Sequence, residues 1–253
     1  MDLRIANKTA LVTGGTKGIG RAIVDAFVAE GANVAFCARS ADEVAATEAA
    51  FASAPVTVVG TVLDVRDTAC LTAWVNDTAE RFGGLDMIVS NVSALAIPDT
   101  AQNWVDSLEI DLMGTVNLVQ ASLPFLEKSS AGSIVALSSV SGREVDFASG
   151  PYGTVKTAII GYIAGLALQL AGRGIRANTV SPGNTYHAGG VWESLEASDR
   201  EFFDSAVALN PTGRLGTPQE IAASVVFLSS PVSSRTTGAN LLIDGALTRG
   251  IQL

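Results

Sequence analysis

Seven short apolar runs alternate with longer stretches of helical periodicity, and this alternation limits the chain to very few folds. The runs are "TALVTG", "NVAFCA", "VTVVGTVL", "LDMIVSN", "GSIVALSS", "IRANTVSPG" and "NLLIDG". Most are apolar at successive positions rather than at every second one, so both of their faces need cover. A parallel sheet between two layers of helices provides that cover. Helical patterns fall between the runs, over Gly18–Glu30, about Ala41–Ser53, Thr68–Phe82, Ala101–Glu127, Tyr152–Ala171 and Pro218–Ser229. Strand and helix in strict alternation predict an α/β class with a doubly wound, seven-stranded parallel sheet. No linker, repeat or low-complexity tract interrupts the pattern, so residues 1–253 read as one domain. The irregular stretch is residues 184–216, just after a strand's carboxyl end. Ligands bind at that end in such sheets, and the stretch is expected to form a substrate-binding lid.

Bulk properties exclude several functions. A formal charge of −9, with scattered cations, argues against a nucleic-acid partner. The amino terminus lacks a basic region followed by an apolar core, and no window holds about eighteen uninterrupted apolar residues. A cytoplasmic location and no membrane span are the expectation. Cys37 and Cys70 read as two buried, reduced thiols. His187 is the single histidine, so no Ser-His-Asp triad can form except through it, and metal-ligand spacing is absent.

The first apolar run leads into "TGGTKGIG", in which Gly14, Thr16, Lys17, Gly18, Ile19 and Gly20 open the first helix. Glycines there let the backbone approach a phosphate, and the helix N-terminus offers free N–H groups and a positive dipole end. The context of strand, glycine turn and helix makes this a Rossmann-type dinucleotide site. The end of the second strand, "AFCARSAD", has no carboxylate before Asp42 to hold two ribose hydroxyls as NAD needs. Arg39 stands there instead, with Lys17 in the glycine loop. Two cations suit a 2′-phosphate, hence NADP(H), unless both are simply solvated. Asp64 and Val65, after the third strand, are placed to touch the adenine, and Asp64 can alternatively cap the next helix.

Tyr152 and Lys156 stand four residues apart at the start of an apolar helix, on one helical face. Ser139 lies thirteen residues upstream of the tyrosine. Any one of these residues is unremarkable alone. Together, and downstream of the glycine motif, "TGGTKGIG", "NVSA", "SSVSG", "YGTVK", "RANTVSPG" and "IDGA" resemble the classical short-chain dehydrogenase/reductase family over nearly the whole chain. The resemblance implies nicotinamide-dependent interconversion of an alcohol and a carbonyl, with a small-molecule substrate. Tyr152 would be the acid/base, Lys156 would tune it and hold the nicotinamide ribose, and Ser139 would orient the substrate oxygen. The chemistry is consistent. A free phenol ionises near ~10, and a neighbouring ammonium favours the phenolate. Asn91, Pro182, Gly183 and Thr185 match cofactor-contacting positions. Two other readings are a 3-oxoacyl carrier-protein or thioester reductase, and a non-catalytic nucleotide-binding scaffold.

The pattern has departures. Where the family has an asparagine that opens a helical kink and holds a relay water, this chain has Asp111, which is expected to alter the relay. "NVSA" puts Ala94 where the family has glycine, so the loop path is expected to differ. "DGA" for "DGG" reads as minor. Thr185 comes earlier than the family's usual threonine. In the lid, Tyr186, His187 and Trp192, with Ser141 near the catalytic serine, are the candidate substrate contacts. Gly189-Gly190 could be a hinge, and the aromatic residues suit an apolar or cyclic substrate. The two long apolar helices, with Gly161 and Gly165, are expected to form interfaces of a homotetramer.

Overall fold

The computed structural model describes residues 1–251. Its seven strands are β1 (Thr9–Thr13), β2 (Asn33–Ala38), β3 (Val58–Val62), β4 (Met87–Ser90), β5 (Ser133–Leu137), β6 (Arg176–Pro182) and β7 (Asn240–Ile243). They form one all-parallel sheet in the order β3-β2-β1-β4-β5-β6-β7. The chain reverses its direction of winding between β1 and β4. That switch point opens a crevice at the strands' carboxyl ends.

The continuous apolar runs hide a period of two. Leu11, Ile88, Ile134 and Ala136 enter one core. Their neighbours Ala10, Val12, Met87, Val89, Val135 and Leu137 enter the core on the opposite face. Both faces are therefore covered, as the sequence required. The helices are α1 (Gly18–Ala29), α2 (Ala41–Ala50), α3 (Thr68–Phe82), α4 (Ala101–Asp106), α5 (Gly114–Leu126), α6 (Pro151–Leu170), α7 (Val191–Ser198), α8 (Arg200–Leu209) and α9 (Pro218–Ser229). By length and composition α6 could cross a membrane. Here Val155, Ile159 and Ile163 seat it in the core instead.

Three expectations change. The helix expected over Ala101–Glu127 is divided by a π-helical segment, Ser107–Met113, centred near Asp111. The lid is two short helices, α7 and α8, with Asp199 accepting from the Phe202 N–H to start the second. Cys37 is buried, but Cys70 is exposed. Cys70 lies in the first turn of α3, where Asp67 accepts its N–H and the side chain faces solvent.

A buried arginine ties the sheet to the last helix. Arg176 sits at the start of β6, and its guanidinium donates to the Leu228, Ser229 and Ser230 carbonyls at the end of α9. These are the carbonyls a helix terminus leaves without partners. At the other end of α9, Thr217 and Glu220 form a reciprocal capping box with Pro218 in the first turn.

Candidate active site

A cavity of about 640 Å³ occupies the crevice at the carboxyl ends of the sheet. Of the residues singled out from the sequence, all line it except Asp111 and Tyr186. The glycine turn is its floor. Gly14 is left-handed at φ +72°. A Cβ on Gly20 would fall 1.9 Å from the Gly14 carbonyl oxygen, so no other residue fits there. Asn91 braces the turn from β4, donating through Nδ2 to the carbonyls of Thr13 (3.0 Å) and Gly14 (3.2 Å). No side chain caps the start of α1, and its first turn carries no acidic residue. Its N–H groups and dipole therefore face the cavity unneutralised. A tight glycine cradle at an uncapped helix start fits a dinucleotide diphosphate.

Ser139 follows β5, and its Oγ accepts the Ser141 N–H at 3.2 Å. The hydroxyl hydrogen of Ser139 is left free for another acceptor. Ser141 itself donates to Asp146 at 2.7 Å. Tyr152 and Lys156 occupy the first turns of α6, started by Pro151. Lys156 is buried, its Nζ donating to the Leu137 carbonyl at 3.1 Å and lying 3.0 Å from Asp111 Oδ1. Asp111 Oδ2 accepts the Ala94 N–H at 2.8 Å. Burial disfavours the Lys156 charge, but the Asp111 carboxylate and then Tyr152 favour it, and the net direction is upward from the usual ammonium value. Asp111 thus lies behind the lysine rather than in the cavity.

The π segment explains how Asp111 arrives there. Thr115 Oγ donates to the Asp111 carbonyl at 2.6 Å and pairs with Ser90 Oγ at 2.8 Å. This buried chain pins the widened turn to the end of β4. The loop after β4 carries one left-handed residue. Leu95, not Ala94, takes the left-handed conformation, at φ +49°.

At the far end of the cavity, Lys17 Nζ lies 3.4 Å from Glu43 Oε1, and Thr16 Oγ donates to Glu43 Oε2 at 2.9 Å. Arg39 is exposed and makes no ion pair among the described residues. Asp64 does not cap α3; Asp67 does. Asp64 instead grips Arg66 at 2.7 Å, and that hydrogen bond holds its carboxyl below the usual range. Val65 is buried beside it.

The lid corrects one assignment and refines others. Tyr186 turns away from the cavity, donates to Glu196 at 2.8 Å and packs edge-on to Phe203 in the lid's own core. His187 lies over the glycine turn, because a Cβ on Gly18 would come within 2.7 Å of its Nε2. It lines the cavity there. Thr185 donates to the Gly183 carbonyl at 2.9 Å. Gly183 packs on the end of β7, where a Cβ would meet Asp244 Cα at 2.9 Å. Trp192 lines the cavity, stacks parallel to Phe202 and meets Phe147 edge-on at 6.0 Å. Phe147 and Glu43 are cavity residues that sequence reading missed. Glu43 had a signal, since Ser40 and Glu43 have N-cap spacing, but nothing in the sequence aims its carboxylate at the glycine loop.

Comparison with known proteins decides the family. Residues 14–248 match the family model described as Enoyl-(Acyl carrier protein) reductase. Isoepoxydon dehydrogenase of Penicillium expansum is 40% identical over 249 residues, covering 96% of this chain and 95% of that one. The chain belongs to the short-chain dehydrogenase/reductase family. Levodione reductase superposes with a TM-score of 0.88 at 30% identity, over 96% of this chain and 98% of that one. A short-chain dehydrogenase from Burkholderia cenocepacia in complex with NADP gives 0.87 at 29% identity, over 96% and 99%. Like other short-chain dehydrogenase/reductases, this enzyme is an oxidoreductase of alcohol and carbonyl groups that uses NAD(P). The glycine cradle and the uncapped start of α1 would hold that dinucleotide's diphosphate.

Proposed function

We propose that the chain is a cytoplasmic NADP(H)-dependent oxidoreductase. It interconverts a carbonyl and a secondary alcohol on a small, mostly apolar or cyclic substrate. The observation that carries this reading is the convergence of Ser139, Tyr152 and Lys156 on one cavity beside the glycine turn. A nicotinamide held there would supply or accept the hydride. Ser139, whose Oγ already accepts from Ser141, directs its own hydrogen to the substrate oxygen and fixes its position. Tyr152 gives that oxygen a proton in reduction and removes one in oxidation. Lys156, held between Leu137 and Asp111, keeps a positive charge next to the phenol, 5.6 Å from the ring centre.

Lys17 and Arg39 support the choice of NADP(H), since both line the adenosine end without a carboxylate at the end of β2. The aromatic wall of Trp192 and Phe147, backed by Phe202, supports an apolar substrate. A homotetramer is part of the proposal. Leu168 is 86% exposed on α6, and Gly161 and Gly165 have open space above them.

The test is a panel of ketones, alcohols and acyl thioesters with NADPH, NADH and their oxidised forms, read at the nicotinamide absorbance. Ketone turnover with NADPH is expected, falling by roughly 10²–10⁴-fold in Tyr152→Phe. Undiminished turnover in that variant would sink the mechanism. A strong NADH preference would sink the roles of Lys17 and Arg39.

A further inference from the structure

The end of the cavity assigned above to a 2′-phosphate already contains an anion. Glu43 stands in the first turn of α2, where Ser40 Oγ accepts its backbone N–H. One carboxylate oxygen accepts from Thr16 Oγ at 2.9 Å, and the other lies 3.4 Å from Lys17 Nζ. Thr16 and Lys17 belong to the glycine loop, so the carboxylate bridges α2 to the loop across the cavity rim. The other charges at this end are Arg39, which is unpaired among the described residues, and the Asp64–Arg66 pair opposite. The Glu43 carboxyl is held below its usual range, first by the Thr16 hydrogen bond and then by Lys17, with burial opposing. It is therefore anionic at neutral pH.

We infer that Glu43 is a specificity-determining residue, an internal competitor that occupies Lys17 and must yield it to the 2′-phosphate of an incoming NADP(H). This inference rests on the reading of Lys17 and Arg39 as a 2′-phosphate site. The exchange is physically open. The Lys17 side chain is 66% exposed and that of Glu43 42%, so the ion pair is screened and weak. A dianionic phosphate forms stronger charge-assisted bonds than one carboxylate and can displace it. Thr16 anchors the second carboxylate oxygen, however, so Glu43 cannot swing clear. Its negative charge stays next to the phosphate and tempers the preference for the phosphorylated cofactor. A ligand without a 2′-phosphate does not need Lys17 and is indifferent to Glu43.

The test measures binding rather than turnover. Isothermal titration of the full chain compares 2′,5′-ADP with 5′-ADP, in the native protein and in Glu43→Gln. Glutamine keeps an acceptor for Thr16 and loses the charge. The variant is expected to bind 2′,5′-ADP roughly three- to tenfold more tightly, with 5′-ADP unchanged. The gain should shrink when Lys17→Gln is added, because the competition for that ammonium is then gone and only the direct repulsion of the phosphate remains. Equal changes for both ligands, or none, in a protein that still prefers 2′,5′-ADP would overturn the inference and leave the cofactor reading intact. Absence of any 2′-phosphate preference, in the native protein and both variants, would overturn the cofactor reading itself and this inference with it.

Discussion

Asp111 shows how one residue can depart from a family pattern and still be held by it. Its two oxygens are divided between a buried ammonium and a backbone N–H. Removing the carboxylate leaves the Lys156 charge buried with one carbonyl for company. Asp111→Leu should lose about 3–5 kcal/mol of stability, and Asp111→Asn, which can still accept from Ala94, should lose less. The pH dependence follows from the lysine. Its folded value is raised above 10.5, so the ion pair's contribution is fully present below that pH. It is lost as pH rises through the folded value. Urea melts should therefore show a constant gap between native and variant proteins from pH 6 to about 9 that closes only above 10.5. A gap that never closes at high pH would exclude the ion pair as its source. Ala246 is a second instructive residue. The change from "DGG" to "DGA" read as minor, yet Ala246 is exposed and left-handed at φ +65°. An L-residue there is strained, so Ala246→Gly should raise stability by about 0.5–1 kcal/mol. An unmoved urea midpoint would refute that.

At the scale of elements, the strands and the ends of helices were legible, whereas interruptions inside helices were not. Alternation located all seven strands, since burial on both faces demands unbroken apolar runs. Helical periodicity placed the start of α9 at Pro218, and Thr217 and Glu220 cap it there. The charge on Glu220 adds to that cap. Arg214 and the Thr217 backbone hold its carboxyl at about 2, against an ordinary 4.5. Its contribution is present above 4.5 and is lost as pH falls through about 2. Calorimetry should show Glu220→Gln melting earlier at neutral pH, with the difference shrinking as pH falls through that window. A difference that persists in acid would assign the effect to cap geometry instead of charge. Nothing in the segment's own pattern marks the π turn; only the resemblance put a helical kink at the position of Asp111. In the fold, Thr115 bonds the Asp111 carbonyl and Ser90, 25 residues away in sequence, so the widened turn is tied to the end of β4. The same limit applies to the lid, where Tyr186 and Trp192 are equally aromatic and only packing decides which faces the cavity.

At the scale of the whole molecule, α6 serves both the candidate site and the packing of the core. Its inner face seats Tyr152 and Lys156, and its outer face leaves Leu168 in solvent. If the proposed tetramer forms through that face, Leu168→Glu should yield a smaller species by light scattering without changing the fold by circular dichroism. A native protein that elutes as a monomer would remove the proposal altogether. Sequence alone determined the α/β class, the strand count, the glycine turn and the Ser139, Tyr152 and Lys156 set. Each of these is written in hydrophobic periodicity, in turn stereochemistry or in fixed spacing along one chain segment. Tertiary structure alone decided that Asp111 faces Lys156 from behind, that Glu43 meets Lys17, and that Cys70 is exposed while Cys37 is buried in β2. Those outcomes depend on which side chains from distant segments meet, and a carboxylate in a sequence carries no mark of the ammonium it will find.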